Sequence, residues 1–103
     1  DSTLVIEGIA CVGGNGANTF GAFIADTAIN DALAVSASTL GGASYLETLY
    51  VRAVVSAAST SARTYQLRIG AASGIAFFVN GTTSARLFGG AMGCRLSITE
   101  IKA

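Results

Sequence analysis

The chain has 103 residues, of which 51% are apolar and only 12% charged, with six basic and six acidic side chains and no histidine. This length supports one domain with a single core. Zero net charge excludes the electrostatic footprint of a nucleic-acid or anionic-lipid binder, and the absence of histidine excludes serine-histidine catalysis, cysteine-histidine catalysis and histidine-based metal sites.

Ordinary globular chains carry about 25% charged residues. With less than this share, the chain has more apolar side chains than one small core can bury. A membrane-spanning helix needs about 20 consecutive apolar residues, and Gly, Asn, Ser or Thr interrupts every apolar run well before that length. We therefore predict no membrane insertion. The alternative cover is other copies of the chain, since obligate interfaces resemble a core cut in half. The composition thus predicts an obligate homo-oligomer.

The first third of the chain predicts three strands. Leu4 to Val12 is apolar on both faces, which is typical of a strand covered on both sides. The glycine-rich segment 13–18 has no following Lys-Ser/Thr, so a hairpin tip is a simpler interpretation than a phosphate-binding loop. Phe20 to Ala25 and Ala28 to Ser38 are the second and third predicted strands.

Asp26, Asn30 and Asp31 lie close together in sequence and offer oxygen ligands. They lack the ligand number and the 12-residue spacing of a calcium loop. Asp and Asn also favour turns in their own right. We therefore predict a turn here, and neither a metal ion nor a cofactor for the chain.

Tyr45 to Ala57 is the longest predicted strand, and we expect it to be the central one. Its apolar face consists of Leu49, Val51, Ala53, Val55 and Ala57. The opposite row carries Thr48, Tyr50, Arg52 and Ser56, and small polar residues over 56–62 predict a loop.

The last third, 63–102, holds three short apolar runs separated by glycine-rich turns. Strands are predicted over Tyr65 to Ile69, Ile75 to Val79 and Leu96 to Ile101, joined as a β-meander. Helix signals are nearly absent. Seven or eight short strands at intervals near ten residues indicate an all-β, antiparallel sandwich.

Glu7 and Glu100 are the pair of carboxylates considered as candidate catalytic residues. A glycosidase needs two carboxylates across a sugar, and these two lie on the first and last strands, which are neighbours in some sandwiches. A carboxylate paired with Lys102 or an Arg at a subunit interface is the simpler interpretation. We predict no enzyme activity.

The order of four motifs in the last third resembles the C-terminal domain of bacteriophage tail fibres and tailspikes. They are Tyr65-Gln-Leu-Arg-Ile-Gly, Phe78-Val-Asn-Gly, Arg86-Leu-Phe-Gly-Gly and Leu96-Ser-Ile-Thr-Glu-Ile. Phe23-Ile-Ala-Asp26 followed by Asn30 to Leu33 is similar to a second, looser family pattern. The resemblance implies a homotrimeric jelly-roll or tumour-necrosis-factor-like β-sandwich in the virion, at the distal end of a fibre or spike.

We accordingly expect residues 1–103 to be a single β-sandwich domain, the C-terminal part of a longer fibre or spike protein. The start at Asp1, without an initiating Met, agrees with an excised piece. Cys11 and Cys94 lie at the first and last strands, which makes a bridge geometrically feasible. Because phage proteins assemble in a reducing cytoplasm, two small buried thiols are favoured.

The resemblance further implies attachment to a host surface polysaccharide, either lipopolysaccharide or capsule. The carbohydrate contacts are then expected at Tyr45, Tyr50, Asn80 and Arg86, with the loop Asn15 to Asn18. Simpler interpretations are a core or interface ring for Tyr50 and a type I′ turn at Asn80-Gly81.

The alternative function is a purely structural trimerisation or folding cap, or a virion decoration protein, without a specific ligand. Glycan binding predicts aromatic side chains exposed in one cleft. A cap predicts that all eight aromatic side chains are buried in core or interface.

Overall fold

The computed structural model describes residues 2–14, 16–28, 31–42, 45–57, 62–72, 74, 77–80 and 93–102. Over these residues the chain is all-β, with two antiparallel sheets, an architecture compatible with a β-sandwich. The strands are β1 (Ser2–Gly14), β2 (Asn18–Asp26), β3 (Asp31–Leu40), β4 (Leu46–Ala57), β5 (Tyr65–Ala71), β6 (Phe77–Val79) and β7 (Arg95–Ile101). The described segments contain no helix that is long and apolar enough to cross a membrane.

The first sheet is built around β1. Strand β4 pairs with one edge of β1 along almost its whole length, and β6 and β7 both pair with β1 as well. The expectation that the Tyr45 to Ala57 strand is central is therefore wrong, because β4 has β1 as its one partner among the described strands. A strand that is apolar in both rows suits the central position better than one with a polar row.

The second sheet has the order β3-β2-β5, and the register shifts where Leu33 of β3 is the extra residue opposite Ile24 and Ala25 of β2. The predicted C-terminal meander is wrong, since β5 pairs with β2 while β6 and β7 pair with β1. Hydrophobic alternation reports which residues share a face of a strand, but not which strand lies beside it. Strand existence was therefore predictable here, and strand partners were not.

The core lies between the sheets and draws on both. Ile6 and Val12 of β1 and Phe20 and Ile24 of β2 are fully buried. The apolar face predicted for β4 is confirmed, since Leu49, Val51 and Ala53 are buried and Val55 packs against the same cluster. Burying a side chain of this size stabilises the fold by about 1.5–3 kcal/mol.

The sheets approach closely where β1 carries Gly8. A Cβ at this position would lie 2.7 Å from Leu67 Cδ1 of β5 and 3.3 Å from Val51 Cγ1 of β4. Leu67 therefore occupies the space that a side chain at position 8 would need. This contact places β5 of the second sheet over β1 of the first.

Candidate functional site

Tyr50 lies on the outer face of the first sheet, where β4 pairs it with Ile9 of β1. Its ring is 48% exposed, so it is not a core ring. Its hydroxyl donates to Glu7 Oε2, and this hydrogen bond raises the pKa of Tyr50. Arg52, also exposed, pairs with Glu7 in the strand register. The phenol is thus already engaged by a carboxylate.

Tyr45 stands immediately before β4 and is 58% exposed. Its ring lies against Gly41, because a Cβ at Gly41 would be 3.0 Å from Tyr45 Cε2. The Tyr45 amide donates to the Gly42 carbonyl at 3.3 Å. The ring therefore rests against Gly41 and Gly42 while more than half of the residue stays exposed.

Asn80 follows β6 in the left-handed conformation, with φ of 65°, and its amide donates to Cys11 O at 2.9 Å. A positive φ at Asn agrees with the turn interpretation. Gly81 and Arg86 lie outside the described residues, as does Asn15 of the predicted contact loop. Asn18, the other end of that loop, is buried and accepts from the Thr19 amide at 2.8 Å, so it is not an exposed contact.

Of the predicted carbohydrate contacts, the structure describes Tyr45, Tyr50 and Asn80, and none of these three lines the cavity between the sheets at β5 and β7 or the groove on the outer face of the second sheet. Tyr45 and Tyr50 are nevertheless exposed. A cap places its aromatic side chains in core or interface, and an interface requires further copies, so the exposure of these two rings in the single chain fits either function.

The two cysteines lie close together and both are free. Cys11 is buried, and burial raises the pKa of its thiol. Cys94 is exposed, which corrects the expectation of two buried thiols, because it precedes β7 at the uncovered edge of the sheet. Its Sγ donates to Asn80 Oδ1 at 3.8 Å.

Glu7 and Glu100 lie on neighbouring strands, as predicted, but on opposite faces of the sheet. Glu7 pairs with Ser97, whereas Glu100 pairs with Leu4. Residues that pair directly share a face, and successive residues alternate between faces. The two carboxylates therefore do not face each other across a common space.

Asp26 is a buried carboxylate at the end of β2. It accepts from the Ala28 amide at 2.9 Å and forms an ion pair with Arg63. Both contacts lower the pKa of Asp26, the backbone hydrogen bond more than the arginine. The same pairing raises the pKa of Arg63. Asp26 therefore stabilises the turn that follows β2 and links this turn to Arg63, which lies just before β5.

The other two oxygen donors of the predicted cluster lie outside what the structure describes, Asn30 as a residue and Asp31 in its side chain. Among the described residues, no three His, Cys, Asp or Glu side chains come close enough to hold a metal ion. Asp26 itself directs its oxygens to Ala28 and Arg63.

A cavity of about 290 Å³ opens between the sheets at the β5 and β7 side. Its walls include Leu4, Ser56, Arg63, Tyr65, Ile98 and Glu100. The sequence pattern did not predict this opening. The signal that could have indicated it is Glu100, a charged side chain in the same row of β7 as Leu96 and Ile98, which is unusual for a covered core row.

A second cavity, of about 300 Å³, is a shallow groove on the outer face of the second sheet. Gly21 of β2 and Gly70 of β5 pair with each other and form its floor, and Phe23, Val35 and Ala37 border it. The groove is almost wholly apolar. Such an exposed apolar depression is a common feature of protein interaction surfaces.

Comparison of this chain with protein-family models, with curated proteins and with solved structures finds no match.

Proposed function

We propose that the chain is a self-assembling β-sandwich module of the kind found at the distal end of a phage tail fibre or tailspike. In this proposal each copy has jelly-roll topology, and three copies assemble in the virion and cover one another's apolar surface. The observation that carries it is the exposure of large apolar and aromatic side chains on the folded chain. These are Ile9, Val35, Tyr45, Tyr50, Val54, Val79, Leu96, Ile98 and Ile101.

The area of the folded chain supports self-assembly. Its accessible surface is 5916 Å², whereas a folded monomer of 10.3 kDa exposes roughly 5,400 Å². The chain therefore exposes about a tenth more surface than this relation gives, which is the direction expected of a subunit that other copies cover. Zero net charge removes the repulsion that would keep copies apart.

The test is the mass of the purified chain in solution, measured by light scattering across a dilution series with and without mild denaturant. Self-assembly as a trimer gives about 31 kDa, three times 10.3 kDa. A well-folded species of one chain at every concentration would refute the proposal. The exposed apolar side chains would then need another partner.

Attachment to a host surface polysaccharide is the second candidate function, favoured by the position of Tyr45. An exposed ring supported from below by a glycine offers one open face for stacking against a sugar. A glycan array followed by titration of the best ligand tests it. Tyr45→Ala should abolish binding while Val54→Ala, an equally exposed position on β4, should not.

Failure of every glycan to bind, combined with a stable trimer, would favour the structural cap. In that case Tyr45 and Tyr50 should become protected when the copies assemble. Tyrosine fluorescence quenching by iodide, compared between assembled and dissociated protein, measures that protection directly.

A further inference from the structure

The two sides of β1 differ sharply in how far the second sheet covers them. On the β4 side, Val51 and Ala53 are 3% and 5% exposed. On the β7 side, Leu96 and Ile98 occupy the same two rungs of the sheet and are 37% and 50% exposed. Because directly paired residues share a face, Leu96 and Ile98 are aimed at the core side without being covered.

We call Leu96, Ile98 and Glu100 the open row. It is open because β5, the last strand of the second sheet among those described, packs over β1 through Leu67 and Gly8. No described strand of the second sheet pairs with the free edge of β5 to extend the cover over β7. The open row therefore faces the core side of the sheet but is only partly covered, as the surface of a subunit is at an obligate interface.

The groove on the second sheet, with Gly21 and Gly70 as its floor, is a second apolar surface without a partner in the single chain. We call it the outer groove. The Phe23 ring leans over it, since a Cβ at Gly21 would lie 2.9 Å from Phe23 Cζ. Val35 borders it and is among the most exposed apolar side chains. The outer groove and the open row lie on different sheets.

We propose that the open row of one copy docks into the outer groove of a second copy, head to tail. The inference rests on the proposed self-assembly and names its contact. One such contact covers both unpartnered apolar surfaces, whereas a two-fold contact through the open row leaves the outer groove bare. A head-to-tail contact between identical chains generates a closed ring when its rotation allows, as three copies require.

Charge complementarity supports the same pairing. Glu100 stands at one end of the open row. Arg68 of β5 pairs with Phe23 and therefore shares the outer face of the second sheet with the groove. The docking orientation that places Glu100 beside Arg68 adds a carboxylate to a guanidinium whose Nε already donates to Gln66 Oε1 at 2.9 Å, and the chain as a whole has no net charge to oppose it.

The first experiment compares three variants by light scattering over a dilution series, with circular dichroism as the check on folding. Ile98→Asp removes the open row and Val35→Asp disables the outer groove. Each should raise the concentration at which the assembly dissociates by at least about 30-fold, the size expected at an interface hot spot. Thr99→Asp is the matched control, because Thr99 is exposed on the same strand as Ile98 but pairs with Val5 and faces the other side of the sheet, and this variant should assemble as the unmodified chain does.

The second experiment mixes the two dissociated variants in equal amounts. Each retains the half of the contact that the other has lost, so one competent contact should form and join two chains, giving about 21 kDa, twice 10.3 kDa. Ile98→Ala, which adds no charge, should weaken assembly in the same direction but less. It serves as the second variant should Ile98→Asp fail to fold.

The outcomes separate this inference from the proposed function. If the unmodified chain assembles but neither Asp variant dissociates it, the inference is wrong and self-assembly stands. Dissociation by Ile98→Asp alone, without recovery on mixing, means a two-fold contact through the open row and also overturns the head-to-tail docking. If the unmodified chain is a monomer, the proposed function and the inference fail together.

Discussion

Gly14→Ala is the substitution whose effect on stability follows most directly from the structure. A Cβ at Gly14 would lie 2.5 Å from Phe20 Cζ, 3.2 Å from Phe20 Cε2 and 2.9 Å from the carbonyl oxygen of Gly16. Phe20 is fully buried, and the oxygen belongs to the backbone of the turn between β1 and β2. Neither neighbour can move aside freely, so the added methyl group must displace core or backbone.

Overpacking of this kind costs about 1–3 kcal/mol in the free energy of unfolding. For a chain of this size each kcal/mol lowers the melting temperature by about 4–8 °C. Urea unfolding followed by circular dichroism measures the free energy, at one fixed protein concentration because assembly contributes to apparent stability. We expect a loss within that range and an unchanged slope with urea.

Gly93→Ala is the matched control, since nothing lies within 4 Å of a Cβ built at Gly93. Gly93→Ala should leave the free energy of unfolding unchanged or raise it by about 0.4–1 kcal/mol, because alanine restricts the conformations of the unfolded chain. The double variant Gly14→Ala/Phe20→Leu should lose less than the sum of the single losses, because shortening Phe20 relieves part of the crowding. Equal effects of the alanines at positions 14 and 93 would refute this account of the turn.

Three further predictions concern ionisable groups. Contacts in the folded state lower the pKa of Asp26. Its contribution to stability is therefore complete above the unfolded pKa of about 3.9 and is lost as pH falls through the lower folded pKa. In Asp26→Asn, the melting temperature measured against pH should fall less steeply at acid pH. Because Glu7 raises the pKa of Tyr50, ultraviolet titration should show a phenol ionising above the ordinary value of about 10. That transition should move down in Glu7→Gln and vanish in Tyr50→Phe. A thiol reagent should label Cys94 in the folded protein and reach Cys11 on unfolding, since Cys11 is buried with a raised pKa; labelling of both at one rate would contradict it.

Most strands were predictable because alternation is a local property. Every predicted strand corresponds to an observed one, with described ends that agree within three residues. The buried row of β4 and its exposed partner row with Tyr50 and Arg52 were also predictable, because the two rows differ in polarity. Strand order was not, since β1 selects β4, β6 and β7 through contacts between residues far apart in sequence.

The candidate site was less predictable than the fold. Tyr45 and Tyr50 were identified by residue type, but their neighbours Gly41 and Glu7 are set by the loop before β4 and by the β1–β4 register. Leu96 and Ile98 alternate like any buried row. Their exposure depends on how far the second sheet extends, and nothing in the local sequence of β7 encodes that extent.

An exposed apolar edge is a liability for any chain that folds alone. All seven residues of β7 are exposed, and its Leu and Ile side chains alternate with Ser and Thr, which suit strand pairing equally well. Protective charge is sparse there, with Arg95 and Glu100 within the strand and Lys102 after it. A monomer would need stronger protection to avoid uncontrolled edge pairing. In the proposed assembly another copy covers this face of β7, so the sparse charge on the strand is enough to keep the edge from pairing at random.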